Sequence, residues 1–350
     1  MRNVFYLFIS MTVFFSCDKD EEVAAVLGCT DSSACNYDAN ATEDNGSCEY
    51  AEDGYDCDGD SIMGYICDYN SCVESINTWD YDTMEECQKN CLLDDNSNSI
   101  EIIYNIHESL PDSWIDEFYL IMNNLINIIP AFINNPDNLT IYAWNDAVED
   151  PYAGIQGGTY LSGSPDGLIL VLEIPEIEFT FNHMHRYSVI AHEYFHVYQI
   201  SLNESMRNND FNIMWLVEGA AAAFESIYIQ DFYDYNYFID DQNNISDQVY
   251  SSPNLFENYN IMDVNYSSAI FMTLVLVKEL VNLGHSEEDA FKMIFQDFMM
   301  LSPSNQNWEL IFEEKFDISV TDFYEILQSY PLDINQVLPS QSLSIEQIFN

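Results

Sequence analysis

The chain has 350 residues, with 60 acidic and 8 basic side chains and a formal net charge of −52. So much negative charge repels phosphate and excludes nucleic acid as a partner. With 48% hydrophobic and 15% aromatic residues, a sizeable core is available, which excludes an acidic disordered chain.

The first elements concern export. Met1-Arg2-Asn3 is a basic start, Val4 to Phe15 is apolar but too short to span a membrane, and Ser16-Cys17 follows. Residues 1–16 resemble a bacterial lipoprotein signal, with Cys17 as the lipidated first residue of the mature chain. Phe14 departs from the Leu usual in that signal. Asp18-Lys19-Asp20-Glu21-Glu22, within an acidic tether at 17–27, resembles the surface-export tag of Bacteroidetes lipoproteins. The resemblance implies a lipid anchor to the membrane and a location in the cell envelope, on the outward face of the outer membrane. An ordinary cleaved signal peptide is the simpler alternative.

Residues 28–92 carry eight cysteines in a stretch rich in Gly, Asp and Asn: Cys29, Cys35, Cys48, Cys57, Cys67, Cys72, Cys87 and Cys91. An even set of this kind reads as a disulfide-rich module outside the cytoplasm. Zinc is the rival ligand, since Cys67/Cys72 and Cys87/Cys91 are close pairs, but no His lies nearby. The pairing is open, with 105 arrangements for eight cysteines. Gly28 to Asp38 and Asp44 to Tyr50 resemble a short repeat of exported proteins. Asp56-Cys57-Asp58-Gly59-Asp60 alternates carboxylates beside a Gly, which suits either Ca²⁺ or a hydrophilic turn. Residues 93–99 form a polar linker.

The segment 100–350 reads as one larger domain. Trp114 to Ile129 has helical spacing. Leu139 to Trp144 and Leu168 to Ile174 read as strands, with turns at Gly154–Gly158 and Ser162–Gly167 between them. The strand ending near Glu173 is a candidate edge strand along a substrate cleft. Helices are expected over 186–200, 215–230, 266–283, 287–300 and 320–330, with Ser286-Glu287-Glu288-Asp289 as a capping start. Strands before helices give an α+β domain.

The chemistry lies in Ala191-His192-Glu193-Tyr194-Phe195-His196. Two histidines four apart on a helix are separated by about 400° of turn and share a face, so both can bind one metal. Glu193, one residue round, can reach a water on that metal as a general base. Trp215-Leu216-Val217-Glu218-Gly219-Ala220 offers Glu218 as a third ligand, and the small residues after it allow a second helix close to the first.

His-Glu-Tyr-Phe-His-Val-Tyr-Gln followed by Trp-Leu-Val-Glu-Gly-Ala-Ala resembles the gluzincin metallopeptidases, the thermolysin-like and aminopeptidase-N-like superfamily. The resemblance covers roughly residues 100–350. It implies a zincin-like fold, Zn²⁺ held by His192, His196 and Glu218, and Glu193 as base. Val264-Asn265-Tyr266-Ser267-Ser268-Ala269 is similar to the segment that carries a transition-state tyrosine, which would be Tyr266. Phe312 to Phe323 is similar to the helical tail of such domains. Two departures stand out. Ala222 occupies the position where thermolysin-like enzymes have an Asp beyond the metal ligands, while Glu225 lies on the face of Glu218 as an outer partner or rival ligand. The Gly-x-Met-x-Asn element that grips a substrate amino terminus is replaced by Gly157-Gly158-Thr159-Tyr160-Leu161.

His183 and His185 precede the helix and are read as solvated loop histidines, with metal binding the alternative; Arg186 and Arg207 are expected to pair with nearby acids, with a substrate carboxylate the alternative. The function so read is a zinc-dependent endopeptidase acting on extracellular protein or peptide. The alternative is a non-catalytic surface or adhesion lipoprotein with a structural zinc.

Overall fold

A computed structural model describes residues 25–51, 55–57, 63–68, 71–76, 100–131, 138–164, 167–259 and 266–349. The chain divides into two units, residues 1–93 and 94–350. Residues 1–16, read above as a lipoprotein signal, and Cys17, Asp58 to Asp60, Cys87, Cys91 and residues 93–99 lie outside the described residues.

In the first unit the bridges Cys29–Cys48 and Cys35–Cys57 close loops with sequence separations of 19 and 22. Closing loops of that length stabilises by about 3 kcal/mol each on the chain-entropy account. The bridges matter because little apolar surface is available: Cys29 and Ala34 are the buried hydrophobic residues described here. Several acidic side chains serve turns. Asp31, Asp38 and Asp44 accept the backbone N–H groups of Ser33, Asn40 and Gly46 at 2.9, 2.9 and 3.1 Å. A hairpin, Met63–Asp68 with Ser71–Ile76, sets Cys67 opposite Cys72 in its backbone register.

The second unit is an α+β fold of zincin-like type, a mixed β/α half followed by a helical half. Its sheet contains β1 (Glu101–Ile106), β2 (Asn138–Asn145), β3 (Thr159–Ser164) and β4 (Gly167–Ile174), in the order β1-β2-β4-β3. β1, β2 and β4 are parallel, and β3 runs antiparallel to β4. The continuous apolar run of β4 follows from its central place, where both faces are covered. Helix α1 (Asp112–Ile128) buries Trp114, Phe118, Ile121, Met122 and Leu125. The Trp114 indole donates to the carbonyl of Arg186 at 2.9 Å, which ties α1 to the start of α2 (His185–Leu202).

Two expectations need correction here, and one strand was missed. Glu173 is not on an edge strand, because β4 pairs with β2 on one side and β3 on the other; the edge is β3. Residues 162–164, read as a turn, belong to β3, whose Ser and Gly content disguises a strand held by its pairing to β4. β1 was not anticipated at all.

The helical half contains α3 (Met214–Tyr233), α4 (Tyr266–Asn282), α5 (Trp308–Phe316) and α6 (Val320–Leu327). The 287–300 segment is helical through a π turn at Met293–Asp297, and Ser286 caps it by accepting the Asp289 N–H at 3.0 Å. α3 is apolar nearly all round and crosses α4 at Gly219. A Cβ on that glycine would stand 2.5 Å from both the Ala269 carbonyl oxygen and Thr273 Oγ1, so only glycine allows this approach.

Candidate metal centre

α2 is an interior helix, buried from Ser188 through Phe195 and again from Val197 to Gln199. One turn apart on it, the rings of His192 and His196 meet edge to face with centroids 4.8 Å apart. α3 packs against α2 and brings in Glu218. The three donor atoms form a nearly equilateral triangle. His192 Nε2 lies 3.1 Å from His196 Nε2 and 3.2 Å from Glu218 Oε2, and His196 Nε2 lies 3.3 Å from that oxygen. His192 and Glu218 are each 9% exposed.

The donor set fits a zinc ion. Bonds of about 2.0–2.1 Å in a tetrahedron place neighbouring ligand atoms about 3.3 Å apart, which is the size of this triangle. The groups behind the ligands agree. Gln199 Nε2 donates to the Val217 carbonyl at 3.1 Å, which turns Gln199 Oε1 toward His196 Nδ1, 2.7 Å away. His196 therefore carries its neutral-form proton on Nδ1 and presents a bare Nε2 to the centre. His192 Nδ1 faces Glu225 Oε2 at 3.6 Å, and the other Glu225 oxygen accepts from Gln242 Nε2 at 3.2 Å. Glu225 is thus the outer carboxylate of this site, behind a histidine rather than among the ligands. It takes up from seven residues on the work that Ala222 cannot do.

Charge is balanced within the cluster. Burial alone would raise the Glu218 carboxyl, but the facing imidazoles of His196 and His192 outweigh it and hold Glu218 well below the usual range. Burial opposes protonation of His192, yet Glu225 and Glu218 lift it well above the ordinary histidine value. The cluster therefore demands positive charge at its centre, from protons or from a metal. Glu193, 9% exposed, is raised mainly by burial and feels the charges of His196, His192, Glu218 and Glu225.

Two tyrosines border the triangle. Tyr266, at the start of α4, meets the His192 ring edge to face at 5.9 Å and is 52% exposed. Burial of its hydroxyl, then the charges of Glu218, Glu193 and Glu225, push its pKa up to about 12. Tyr259 was not foreseen; its hydroxyl donates to Glu218 Oε1 at 3.0 Å. Gln199 and Gln242 were also missed. Gln199 stands within the quoted motif, but an amide three residues after a ligand carries no signal until its partner, Val217, is known.

The remaining candidates lie elsewhere. His185 Nδ1 pairs with Glu178 Oε1 at 2.7 Å. Arg186 pairs with no acid among its described partners: its guanidinium donates to Asn182 Oδ1 and the His183 carbonyl, and lies 4.3 Å over the Tyr187 ring.

Among the described residues, His192, His196 and Glu218 are the group placed to hold a metal. Their geometry is that of a catalytic zinc metallopeptidase site. No family model, curated protein or solved structure matches this chain.

The outer partners are testable. Glu225→Ala should weaken zinc binding by about 10–100-fold, as loss of such partners does, when measured by competition with a chelator. Wild-type affinity would reduce Glu225 to a buried partner of Gln242.

Proposed function

We propose that the protein is a zinc-dependent endopeptidase that hydrolyses extracellular protein or peptide. The observation that carries this reading is the His192–His196–Glu218 triangle with Glu193 beside it. A zinc ion bound there supplies Lewis acidity toward a carbonyl and lowers the pKa of a water. Glu193 accepts the water proton as the oxygen adds to the carbonyl carbon, then delivers that proton to the departing amine as the C–N bond breaks. A structural metal site has no need of such a carboxylate, which weighs against a purely adhesive role.

The endopeptidase reading has two supports. The sequence lacks the Gly-x-Met-x-Asn element that would grip a substrate amino terminus. In addition, β3 ends the sheet beside α2, and its outer side has no strand partner among the described residues. An extended peptide can pair with such an edge along its length and run past the metal in both directions. Incubation with a diverse peptide mixture tests the reading: internal cuts that stop with a chelator and resume with zinc support it. Cuts confined to chain ends would make it an exopeptidase, and none at all with zinc bound would leave a non-catalytic protein.

Tyr266 is the proposed donor to the carbonyl oxygen as negative charge develops there, an interaction made mainly in the transition state. A phenol with the ordinary tyrosine pKa of about 10 already carries its proton at neutral pH and can donate it in a hydrogen bond. Tyr266→Phe should lower turnover by ~10²–10³ with little change in substrate binding. Wild-type turnover with normal zinc content would leave Tyr266 as a packing residue.

The cell-surface location is proposed from the sequence of the first 22 residues. Cys17→Ala should shift the protein from the membrane fraction to the soluble one. Mass spectrometry finding an unmodified mature terminus elsewhere would refute the anchor.

A further inference from the structure

Glu218 has two oxygens, and the structure gives them different partners. Oε2 forms the triangle with the histidines, while Oε1 accepts the hydroxyl proton of Tyr259 at 3.0 Å. A carboxylate oxygen only accepts, so the phenol is the donor of this bond.

Its position is anchored. Tyr259 follows the 3-10 turn Pro253–Glu257, in which Phe256 is fully buried. Glu257 Oε1 accepts the Tyr324 hydroxyl at 2.8 Å, and the Tyr324 oxygen accepts the Trp215 indole N–H at 3.2 Å. Trp215 stacks on Phe323 with centroids 5.2 Å apart and stands on α3, three residues before Glu218. The segment that delivers Tyr259 is therefore tied to the helix whose carboxylate it touches.

A carboxylate can bind a metal through one oxygen or both. Two-oxygen binding by Glu218 would add a fifth donor beside the water position that a hydrolytic site keeps open next to its three protein ligands, crowding that position and raising the coordination number from four to five. A hydrogen bond to Oε1 competes for that oxygen's lone pair and turns it away from the metal. We propose that Tyr259 is a positioning residue that holds Glu218 as a one-oxygen ligand and so keeps the fourth coordination position free for water and substrate. The proposal rests on the zinc-site reading above. It gives the two tyrosines separate tasks, Tyr259 acting through the ligand and Tyr266 on the substrate.

Cobalt(II) in place of zinc reports the coordination number, because four-coordinate cobalt absorbs visible light more strongly than five-coordinate cobalt. Wild type, Tyr259→Phe and Tyr266→Phe are each loaded with one equivalent of Co²⁺. The wild type should show the intense four-coordinate bands, and so should Tyr266→Phe. Tyr259→Phe should bind cobalt with clearly weaker, five-coordinate bands, and the zinc form should lose about tenfold in kcat/KM, as loss of a ligand's outer partner does. The ring of Tyr259 is 47% exposed and Phe preserves it, so the fold is not at stake. Bands from Tyr259→Phe that superimpose on the wild type would overturn the proposal while leaving the metal site intact. A wild type that binds no cobalt would overturn the site reading and this proposal with it.

Discussion

Glu193→Gln should retain zinc and lose at least ~100-fold in turnover, the usual contribution of a positioned general base. The amide keeps the size and burial of the carboxylate but cannot take a proton from water. Glu193 stands in the second of three consecutive buried turns of α2, between the two histidines, and is 9% exposed. That position shields it from bulk water and sets it among the charges of His196 and His192, where a proton can be taken up and given back. Because Glu193 is outside the donor triangle, metal content should not change. The check is turnover on a cleaved peptide alongside elemental analysis of the same sample. Unchanged turnover would remove the role.

The second large effect concerns the ligands. His192→Ala and Glu218→Ala should each lose the metal and with it all measurable hydrolysis. Each change deletes one corner of a triangle whose edges are 3.1 to 3.3 Å, and two remaining donors do not make a zinc site. Stability should follow. A ligand present at 100 times its Kd stabilises the native state by about 2.7 kcal/mol, so a chelator should lower the melting temperature of the wild type and leave both variants unmoved. Elemental analysis showing full zinc retention in both variants would refute the assignment.

Much of this site was legible because the controlling geometry is local. His192, Glu193 and His196 lie within five residues, and helical periodicity alone sets which of them share a face. Their apolar neighbours Val189, Ile190, Phe195 and Val197 suit an interior helix, and all four are buried. Glu218 was legible for a related reason: the small residues after it were read as letting its helix approach α2, and α3 does pack on α2, although the tight approach at Gly219 is to α4. Glu225 marks the limit. Spacing put it on the face of Glu218, but whether it binds the metal or stands behind a ligand depended on the side of His192 it reaches, and the answer is Nδ1.

The parts that were not legible join distant stretches of chain. Ser162-Gly163-Ser164 has the composition of a turn and becomes strand only because β4 offers it a partner; the same pairing moves the sheet edge from Glu173 to β3. Tyr259 reaches Glu218 across 41 residues by way of Glu257, Tyr324 and Trp215, none of which is a signal by itself.

By itself, then, the sequence determined the cysteine-rich module, the α+β order of elements and the three residues placed to hold a metal. Composition and short-range periodicity control those features. Only the tertiary structure decided which strand is exposed, which carboxylate stands behind which histidine, and which tyrosine holds the ligand. Those depend on the register and crossing of elements far apart in the chain, set by how side chains of different segments pack together rather than by their own local preferences.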